Sequence, residues 1–542
     1  MPSQAGALTS ALERDSNERA MAFKLTYSTM FDPPEELHAR FEAALALARA
    51  GLGENHALHV DGADVKAAQS YEKRSPADAR ILLGRFPLAD AADTGRAMQA
   101  AQRAYASWRF TPLAERVRLA QRTAALIEER VYQIAAVLAL EVGKNRMEAL
   151  GEAQETADFF AGYAAELERN AGYDHPLPDD PLPGFRSRNK SVLKPYGVWG
   201  VVTPFNFPLA LAGGPVAAAL VTGNCVVLKG ASDTPWAGRL LADCIRDAGY
   251  PPGVFNYLTG RGDVTGEALV AHEHLAGLTF TGSYPVGMGL LRRMAGGAYP
   301  RPCIAEMGGK NACVVTARAD LERAAVGCVR SAFGLSGQKC SALSRLYVED
   351  KVADALVARL VELVRAIRTG DPCLRENWMG PVISGGAAAN YERYCERVVA
   401  DGGRILEGGH RLREGDLEHG HFVAPTLAEA RAEHPLFREE LFQPILMLAR
   451  VKDVHEAVAR ANDVPLGLTA GCYGDEEDVR YFLDHIEAGV TYVNRPQGAT
   501  TGAWPFYQPF GGWKGSGSTG KAIGSFHYLP LYLREQSQTI VE

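Results

Sequence analysis

Short apolar runs recur along the middle of the chain, and each is followed by a segment with helical spacing of its apolar residues. The helical segments begin near Pro208, Thr234, Val264 and Pro285. Four of the apolar runs predict buried strands, at 197–204, 224–230, 254–260 and 275–283. Strands that alternate with helices at this spacing imply βαβ units, and therefore a parallel, doubly wound sheet.

The N-terminal part of the chain is predicted to be mainly helical. Residues 1–51 form an extension whose second half, 34–51, has the pattern of one helix ending on a glycine. Two further helices are predicted at 94–108 and 113–142. A segment rich in proline and aspartate, 175–184, predicts a long loop or a projecting arm.

The C-terminal part, 306–516, repeats an α/β pattern, with helices predicted at 352–368 and 476–488. A chain of 542 residues is too long for one core and should form two or three domains. One uncharged run, 209–228, has the length of a membrane span, but Gly213, Gly214 and Pro215 break it into a short helix and a strand. We therefore predict no membrane segment.

Charge and cysteine content narrow the class of protein. The net charge of −7 and the absence of a Lys/Arg stripe argue against nucleic-acid binding. The nine cysteines are scattered, with no metal-ligand spacing, which is typical of a reducing cytoplasm. We expect a cytoplasmic protein with no metal site and no secretory signal.

Three short segments carry candidate chemistry. Cys340 lies between a Gly-rich turn and small residues, although a lone cysteine is more often just a small buried apolar residue. Glu306 ends an apolar run and precedes two glycines, which allow close backbone approach to a ligand. Asn206 is a single amide between two aromatic residues at the end of a predicted strand, where a turn or cap role is the alternative.

These segments, taken together, resemble the aldehyde dehydrogenase superfamily from about residue 71 to near the C-terminus. The markers that carry the resemblance are PFNFP (204–208), VVLKG (226–230), FTGS (280–283), EMGGKN (306–311), GQKCSA (337–342), MGPVIS (379–384), HFVAPTL (421–427), REELFQP (438–444), NDVPLGLTAG (462–471) and PFGGWKGSG (509–517).

The resemblance implies a covalent mechanism. Cys340 would attack an aldehyde carbonyl, and the Asn206 side chain with the Cys340 backbone N–H would stabilise the oxyanion. Glu306 would deprotonate the water that hydrolyses the resulting thioester. A CoA-acylating relative needs no such base, and a non-enzymatic structural relative would be expected to lack the nucleophile or the base.

The resemblance also implies a pyridine-nucleotide cofactor, with NAD expected first and NADP as the alternative. Ser232 stands where many NAD-preferring members have a glutamate, which would repel a 2′-phosphate. Taken singly, the glycines of the site are equally compatible with plain turns. The cofactor-binding residues implied by the resemblance are Thr203, Pro204, Phe205, Lys229, Ser232, Gly262, Gly266, Gly282, Ser283, Gly287, Glu440 and Phe442.

Within the superfamily, the chain is similar to the branch that acts on L-glutamate γ-semialdehyde. It shares EVGKN (141–145) and phenylalanine at 205, and Lys521 replaces an acid that other members carry. In that branch Ser341, Gly502 and Ala503 would bind the substrate α-carboxylate, and Phe207 would contact the substrate. The alternative is an aromatic-lined loop that serves another aliphatic or aromatic aldehyde.

The expected fold is α/β, with a Rossmann-like cofactor domain (52–178 and 196–305) and an α/β catalytic domain (306–510). An oligomerisation arm (179–195) is expected to pair with the C-terminal strand (528–542) across a subunit interface, giving a homodimer or a dimer of dimers.

Two other sequence features have no predicted role. The segment 515–522 nearly matches a nucleotide-binding P-loop, but it lacks a preceding strand, and Ala522 cannot supply the hydroxyl that binds magnesium. Gln443 replaces a glycine that the family usually has.

Overall fold

The computed structural model describes residues 25–27, 29–30 and 33–542. Of the predicted N-terminal extension, the helix is confirmed at Glu35–Ala50, and residues 1–24 lie outside the described residues. Its buried side chains, including Phe41 and Leu45, pack against the helix Val131–Val142. The extension is therefore joined to the main body of the molecule by an apolar face.

A seven-stranded sheet lies where the sequence predicts the doubly wound repeat. Its first five strands are parallel, and an antiparallel hairpin extends one edge. The strands lie in the order Cys303–Glu306, Leu275–Thr281, Val198–Val202, Cys225–Lys229, Phe255–Leu258, Leu58–Val60 and Ala63–Val65.

Helices cover this sheet, and they correct the sequence analysis at three places. The helix predicted at 113–142 is two helices that meet at Arg130. The long helix Arg146–Arg169 was not predicted. The segment beginning near Val264 is a π-turn, Gly262–Gly266, followed by a single helical turn. The helices of this part are Ala91–Trp108, Leu113–Glu129, Val131–Val142, Arg146–Arg169, Ala210–Val221, Pro235–Ala248, Glu267–Ala271 and Tyr284–Ala295.

A second seven-stranded sheet is formed by the C-terminal part of the chain, and it confirms the second α/β repeat. All its neighbouring strands are parallel except the first pair. The strands lie in the order Arg404–Glu407, Thr426–Glu429, Ile445–Val451, Leu343–Glu349, Asn311–Val315, Thr469–Tyr473 and Val490–Val493. Its helices are Leu321–Phe333, Asp350–Arg365, Gly385–Ala400, Val454–Asn462 and Glu476–His485.

A three-stranded antiparallel sheet forms the arm, in the order Leu533–Val541, Ser187–Pro195 and Asp174–Leu177. The C-terminal strand pairs with the arm segment, as predicted, but within its own chain and not across a subunit interface. Part of the predicted loop at 175–184 is also a strand. The strand forms because its backbone groups find partners on the edge of Ser187–Pro195.

Two smaller sheets complete the strands of the described region. One has the order Glu54–Asn55, Leu82–Pro87 and Ser70–Arg74, and the other pairs Leu466–Gly467 with Trp513–Lys514. No helix within the described residues has the length and apolarity needed to cross a membrane.

The two large sheets meet at one short connection. Glu306 is the last residue of the edge strand of the first sheet, and Asn311 opens a central strand of the second. The chain passes from the first sheet to the second through four residues, Met307 to Lys310, and we call the boundary between the two sheets the seam. The predicted boundary at residue 306 therefore falls between the sheets, with a carboxylate at the junction.

Candidate active site

Cys340 follows a tight turn between the helix Leu321–Phe333 and the strand Leu343–Glu349. Three successive residues of this turn, Leu335, Ser336 and Gly337, have positive φ values of 50°, 53° and 67°. The left-handed conformation is unfavourable for non-glycine residues and persists only where neighbours hold it. Here the Ser336 hydroxyl donates to the Gly380 carbonyl at 2.7 Å. A Cβ on Gly337 would lie 2.3 Å from the Gln443 carbonyl oxygen, so only glycine fits.

The Cys340 thiol is strongly shifted toward its protonated form. Burial is the main cause, the carboxylates of Glu440 and Glu306 add to it, and together they raise the pKa to about 12. The backbone N–H groups of Ser341 and Cys340 act in the opposite direction. The backbone on its C-terminal side is fixed by Asn311, whose amide donates to the Cys340 carbonyl at 2.7 Å.

Glu306 has a buried carboxyl group with unused hydrogen-bonding capacity. Burial raises its pKa to about 8, against a smaller opposing effect of the Gly512 backbone N–H. Its Oε2 atom has no hydrogen-bond partner within the described part of the chain. A buried carboxyl whose pKa lies near neutrality is well suited to general base catalysis.

The segment that resembles a P-loop fixes the strand that carries Glu306. The Met307 N–H donates to the Ser516 carbonyl at 2.8 Å, and the Ala305 N–H donates to the Ser518 hydroxyl at 2.8 Å. Gly517 forms a β-bridge with Glu306 itself. The glycines and serines of this segment therefore fix the backbone immediately before and after Glu306.

Asn206 reaches the Cys340 turn from the other sheet. Its side chain is buried, and Nδ2 donates to the Gln338 carbonyl at 2.9 Å. A side-chain amide has two N–H donors, so this bond leaves a second donor for a ligand. The three predicted catalytic residues therefore come from both sides of the seam between the sheets.

A cavity opens onto Cys340. Its volume is about 930 Å³, including the solvent at its mouth. All four predicted substrate residues, Phe207, Ser341, Gly502 and Ala503, line it. Gly502 has a φ of 103°, and the Arg495 guanidinium donates to its carbonyl at 3.0 Å. Most other lining side chains are apolar or aromatic, including Phe159, Leu211, Trp504, Pro505, Phe510 and Ile523.

Several predicted cofactor residues lie on the loops that follow the strands of the first sheet. Lys229 ends the strand Cys225–Lys229, and burial lowers its pKa to about 8. The Ser232 hydroxyl donates to the Gly260 carbonyl at 2.9 Å. Thr203 is buried, and its hydroxyl has no hydrogen-bond partner among the described residues. Pro204 follows it in the same turn.

The other side of the cofactor region is formed by a segment of the second domain. Glu440 accepts a hydrogen bond from the Gly309 N–H at 2.9 Å, and burial raises its pKa. Phe442 has a φ of 55°, and its ring meets that of Phe205 edge-on at a centroid distance of 5.8 Å. A Cβ on Gly308 would lie 2.0 Å from the Glu440 carboxylate, which explains one glycine of the pair after Glu306.

The predicted glycines differ in how strongly the protein itself requires them. A Cβ on Gly287 would lie 2.5 Å from the Met307 sulfur, and one on Gly282 would lie 2.5 Å from the Phe280 ring. By contrast, a Cβ on Gly262 or Gly266 would meet no atom within 4 Å. Ser283 is the residue before the helix Tyr284–Ala295, and no side chain caps that helix.

The chain matches the family model described as "Aldehyde dehydrogenase family" over residues 64–537. The chain belongs to the aldehyde dehydrogenase family. It is 36% identical over 508 residues to a 1-pyrroline-5-carboxylate dehydrogenase of Geobacillus thermodenitrificans, covering 93% of this chain and 96% of the relative. Its identity with 1-pyrroline-5-carboxylate dehydrogenase 2 of Bacillus subtilis is also 36%, with the same coverage of both chains.

A solved structure of the same family gives the corresponding similarity in three dimensions. It is the 1-pyrroline-5-carboxylate dehydrogenase from Thermus with bound NAD, at a TM-score of 0.90 and 33% identity. The match covers 96% of this chain and 99% of that one. The predicted family and fold class are therefore confirmed.

An ion pair that no sequence pattern predicted lies beside Cys340, the predicted nucleophile of this aldehyde dehydrogenase. The Lys339 ammonium, next to Cys340, bonds the buried Glu148 carboxylate at 2.5 Å. The other Glu148 oxygen accepts from the Leu335 N–H at 3.1 Å. The pair thus fixes the turn at two points, and no short-range pattern in the sequence connects residues 148 and 339.

A second buried pair supports the turn that carries Asn206. Lys144 and Glu152 are fully buried and lie 2.6 Å apart. Glu152 also accepts from the Leu209 and Ala210 N–H groups, at the start of the helix Ala210–Val221. The Lys144 ammonium lies 3.3 Å from the centroid of the Phe207 ring. The motif EVGKN marked this region, but only as a family signature.

The structure also gives Gln443 a contact. Its side-chain amide donates to the Ala387 carbonyl at 3.0 Å, which ties the loop carrying Glu440 to the helix Gly385–Ala400. The substitution therefore adds an anchor to that loop.

Proposed function

We propose that this aldehyde dehydrogenase oxidises L-glutamate γ-semialdehyde to glutamate, with NAD as the hydride acceptor. The observation that carries the proposal is that Cys340, Ser341, Gly502 and Ala503 line one cavity. The nucleophile and the residues expected to anchor an α-carboxylate therefore face the same substrate. The relatives named 1-pyrroline-5-carboxylate dehydrogenase support the same choice.

The reaction begins when the Cys340 sulfur attacks the aldehyde carbon. The thiol proton passes to water, the carbon–sulfur bond forms, and the carbonyl π electrons move to oxygen, which gives a thiohemiacetal oxyanion. The Asn206 amide and the Cys340 backbone N–H are placed to donate to that oxygen. One such donor is typically worth about a hundred- to a thousandfold in rate.

The cofactor region fits NAD on two observations. The Thr203 hydroxyl is buried with no partner within the described chain, and the helix N-terminus after Ser283 carries no side-chain cap. An uncapped helix N-terminus is suited to a pyrophosphate. Lys229, Glu440 and Phe442 would hold the riboses and the nicotinamide, and NAD when bound supplies the hydride acceptor.

Glu306 acts after the substrate carbon has been oxidised to the level of a thioester. Its carboxylate accepts a proton from water, and the oxygen of that water attacks the thioester carbon. The carbon–sulfur bond breaks, the acid leaves, and Glu306 returns its proton to the Cys340 sulfur. The unused Oε2 atom is the acceptor that this step needs.

We also propose an oligomeric state and a cellular location. The arm sheet and the loop between its strands carry exposed apolar side chains, among them Phe185 and Ile540, which supports a homodimer or a dimer of dimers. All nine cysteines are in the described region and none is in a disulfide, which supports a cytoplasmic location.

The proposal is tested by NAD(P)H formation with a panel of aldehydes. The panel contains glutamate γ-semialdehyde, succinate semialdehyde, hexanal and benzaldehyde, each with NAD and with NADP. We expect the highest kcat/KM for glutamate γ-semialdehyde with NAD. A higher value for hexanal or benzaldehyde would favour the rival that the apolar lining suggests, an aldehyde with no α-amino acid group.

A further inference from the structure

Tyr27 lies in the wall of the aldehyde cavity, although it belongs to the N-terminal extension. Its ring meets Trp504 edge-on at a centroid distance of 5.1 Å and Phe207 at 6.5 Å. Met30, in the same segment, lines the cavity as well. A short piece of the extension therefore completes a pocket whose other walls come from residues far along the chain.

The hydroxyl of Tyr27 is held by a carboxylate. It donates to Glu155 Oε2 at 2.7 Å, and Glu155 has no other hydrogen-bond partner in the described part of the chain. Burial raises the pKa of Glu155 to about 8, and the bond from Tyr27 acts in the opposite direction. The bond therefore fixes the ring at its polar end.

The Tyr27 ring also packs against Gly151 in the helix Arg146–Arg169, where the lack of a side chain leaves room for it. A Cβ on Gly151 would lie 2.7 Å from Tyr27 Cε1, which is closer than such contacts occur. Glycine is unfavourable in the middle of a helix, by about 1 kcal/mol relative to alanine. Its presence at 151 is explained by the room that Tyr27 needs.

We propose that Tyr27 is a specificity-determining residue, which closes the aldehyde cavity and limits the length of the aldehyde that fits. The inference rests on the proposed function, since it assumes that the cavity binds the substrate. Hydrogen bonding at one end and ring contacts at the other hold the side chain in place. Its removal would enlarge the cavity beside the rings of Trp504 and Phe207, which Tyr27 contacts.

The test compares kcat/KM for octanal with kcat/KM for glutamate γ-semialdehyde in the full chain. In Tyr27→Ala we expect this ratio to rise by about tenfold or more, the scale on which apolar pockets discriminate chain length. Tyr27→Phe keeps the ring and should leave the ratio within about twofold of the wild-type value. Tyr299→Ala, an exposed tyrosine outside the cavity lining, is the matched control.

Gly151→Ala provides a second variant that leaves Tyr27 in the chain. It places a methyl group against the ring, and we expect the ratio to rise in the same direction. NAD binding and thermal unfolding of each variant show whether it is folded.

The outcomes separate the two proposals. A wild-type protein that oxidises no aldehyde overturns the proposed function. An active wild-type protein whose ratio is unchanged in folded Tyr27→Ala and Gly151→Ala overturns the role of Tyr27 alone.

Discussion

The thiol of Cys340 is held in its protonated form by burial and by two nearby carboxylates, which raise its pKa to about 12. The thiolate is the nucleophilic form of cysteine, so at neutral pH only a small fraction of Cys340 is in the reactive form. The strained turn and the Asn311 bonds fix the backbone on either side of the sulfur.

Replacement of this sulfur gives the first prediction. Cys340→Ala should abolish aldehyde oxidation, because no other group lining the cavity is a comparable nucleophile. NAD binding should be unchanged, since Cys340 is outside the residues expected to hold the cofactor. Activity is measured as NADH formation and binding by calorimetry. Oxidation by the variant above the uncatalysed rate would contradict the assignment.

Glu306 gives a prediction about pH. With a pKa of about 8, raised by burial, the carboxyl is largely protonated below pH 8 and cannot accept a proton from water. Thioester hydrolysis should therefore rise about tenfold per pH unit up to pH 8 and level off above it. Single-turnover hydrolysis, followed from pH 6 to 9.5, measures this profile.

The matched variant is Glu306→Gln, which keeps the shape of the side chain and removes the base. It should give one burst of NADH per active site and then stall, because oxidation precedes hydrolysis. Steady turnover at the wild-type rate in this variant would exclude Glu306 from the hydrolytic step.

At the scale of elements, the helix Arg146–Arg169 provides side chains that hydrogen-bond to several segments of the site. It supplies Glu148 to the Cys340 turn, Glu152 to the turn that carries Asn206, and Glu155 to Tyr27. Three carboxylates on one helix, each bonded to a different segment of the site, explain how residues from distant parts of the chain keep a common geometry.

A prediction at this scale concerns the Lys144–Glu152 pair. Glu152→Leu removes the ion-pair partner of the buried Lys144 ammonium and should lower the free energy of unfolding by about 3–5 kcal/mol. The double variant with Lys144→Met should recover much of that loss. Denaturant unfolding measures both.

The control for this experiment is Glu115→Gln, which removes a partner of Arg118 in an exposed pair. The expected loss there is at most about 1 kcal/mol. Equal losses at the buried and the exposed pair would show that Lys144–Glu152 has no special structural role.

The same helix could not be predicted from the pattern of apolar residues. Its buried positions include Glu148, Glu152 and Glu166 as well as apolar residues, so the apolar period that identifies most helices is masked. Four central strands of the first sheet, by contrast, are nearly continuous apolar runs and were predicted. The break at Arg130 was missed because both flanking segments have strong helical patterns.

Some residues of the candidate site could be predicted from the sequence, and others could not. Cys340, Glu306 and Asn206 lie in short contiguous motifs, and the sequence alone marks them as candidates. Tyr27, Glu148 and Lys339 act through contacts over more than a hundred residues of chain, which no local pattern encodes. The pairing of the arm with the C-terminal strand was predicted from the family resemblance, but a strand pattern does not say whether two strands of the same sequence pair within one chain or between chains.

At the scale of the whole molecule, five large apolar side chains are exposed on the arm sheet and on the loop between its strands Asp174–Leu177 and Ser187–Pro195. They are Leu177, Leu182, Phe185, Ile540 and Val541. Exposed apolar residues gathered in one region are typical of an interaction surface. The strand Asp174–Leu177 is also an outer edge of this sheet, open to pairing with another chain.

The last prediction follows from this surface. Phe185 is 64% exposed in the single chain, so Phe185→Glu should leave the fold intact and weaken only the contact between chains. We expect a shift from dimer or tetramer toward monomer, measured by sedimentation velocity across a range of concentrations. Leu47→Glu, on the helix Glu35–Ala50 and 75% exposed, is the control for an added surface charge. If both variants sediment like the wild type, the arm is not the contact that assembles this enzyme, and the exposed sheet must have another partner.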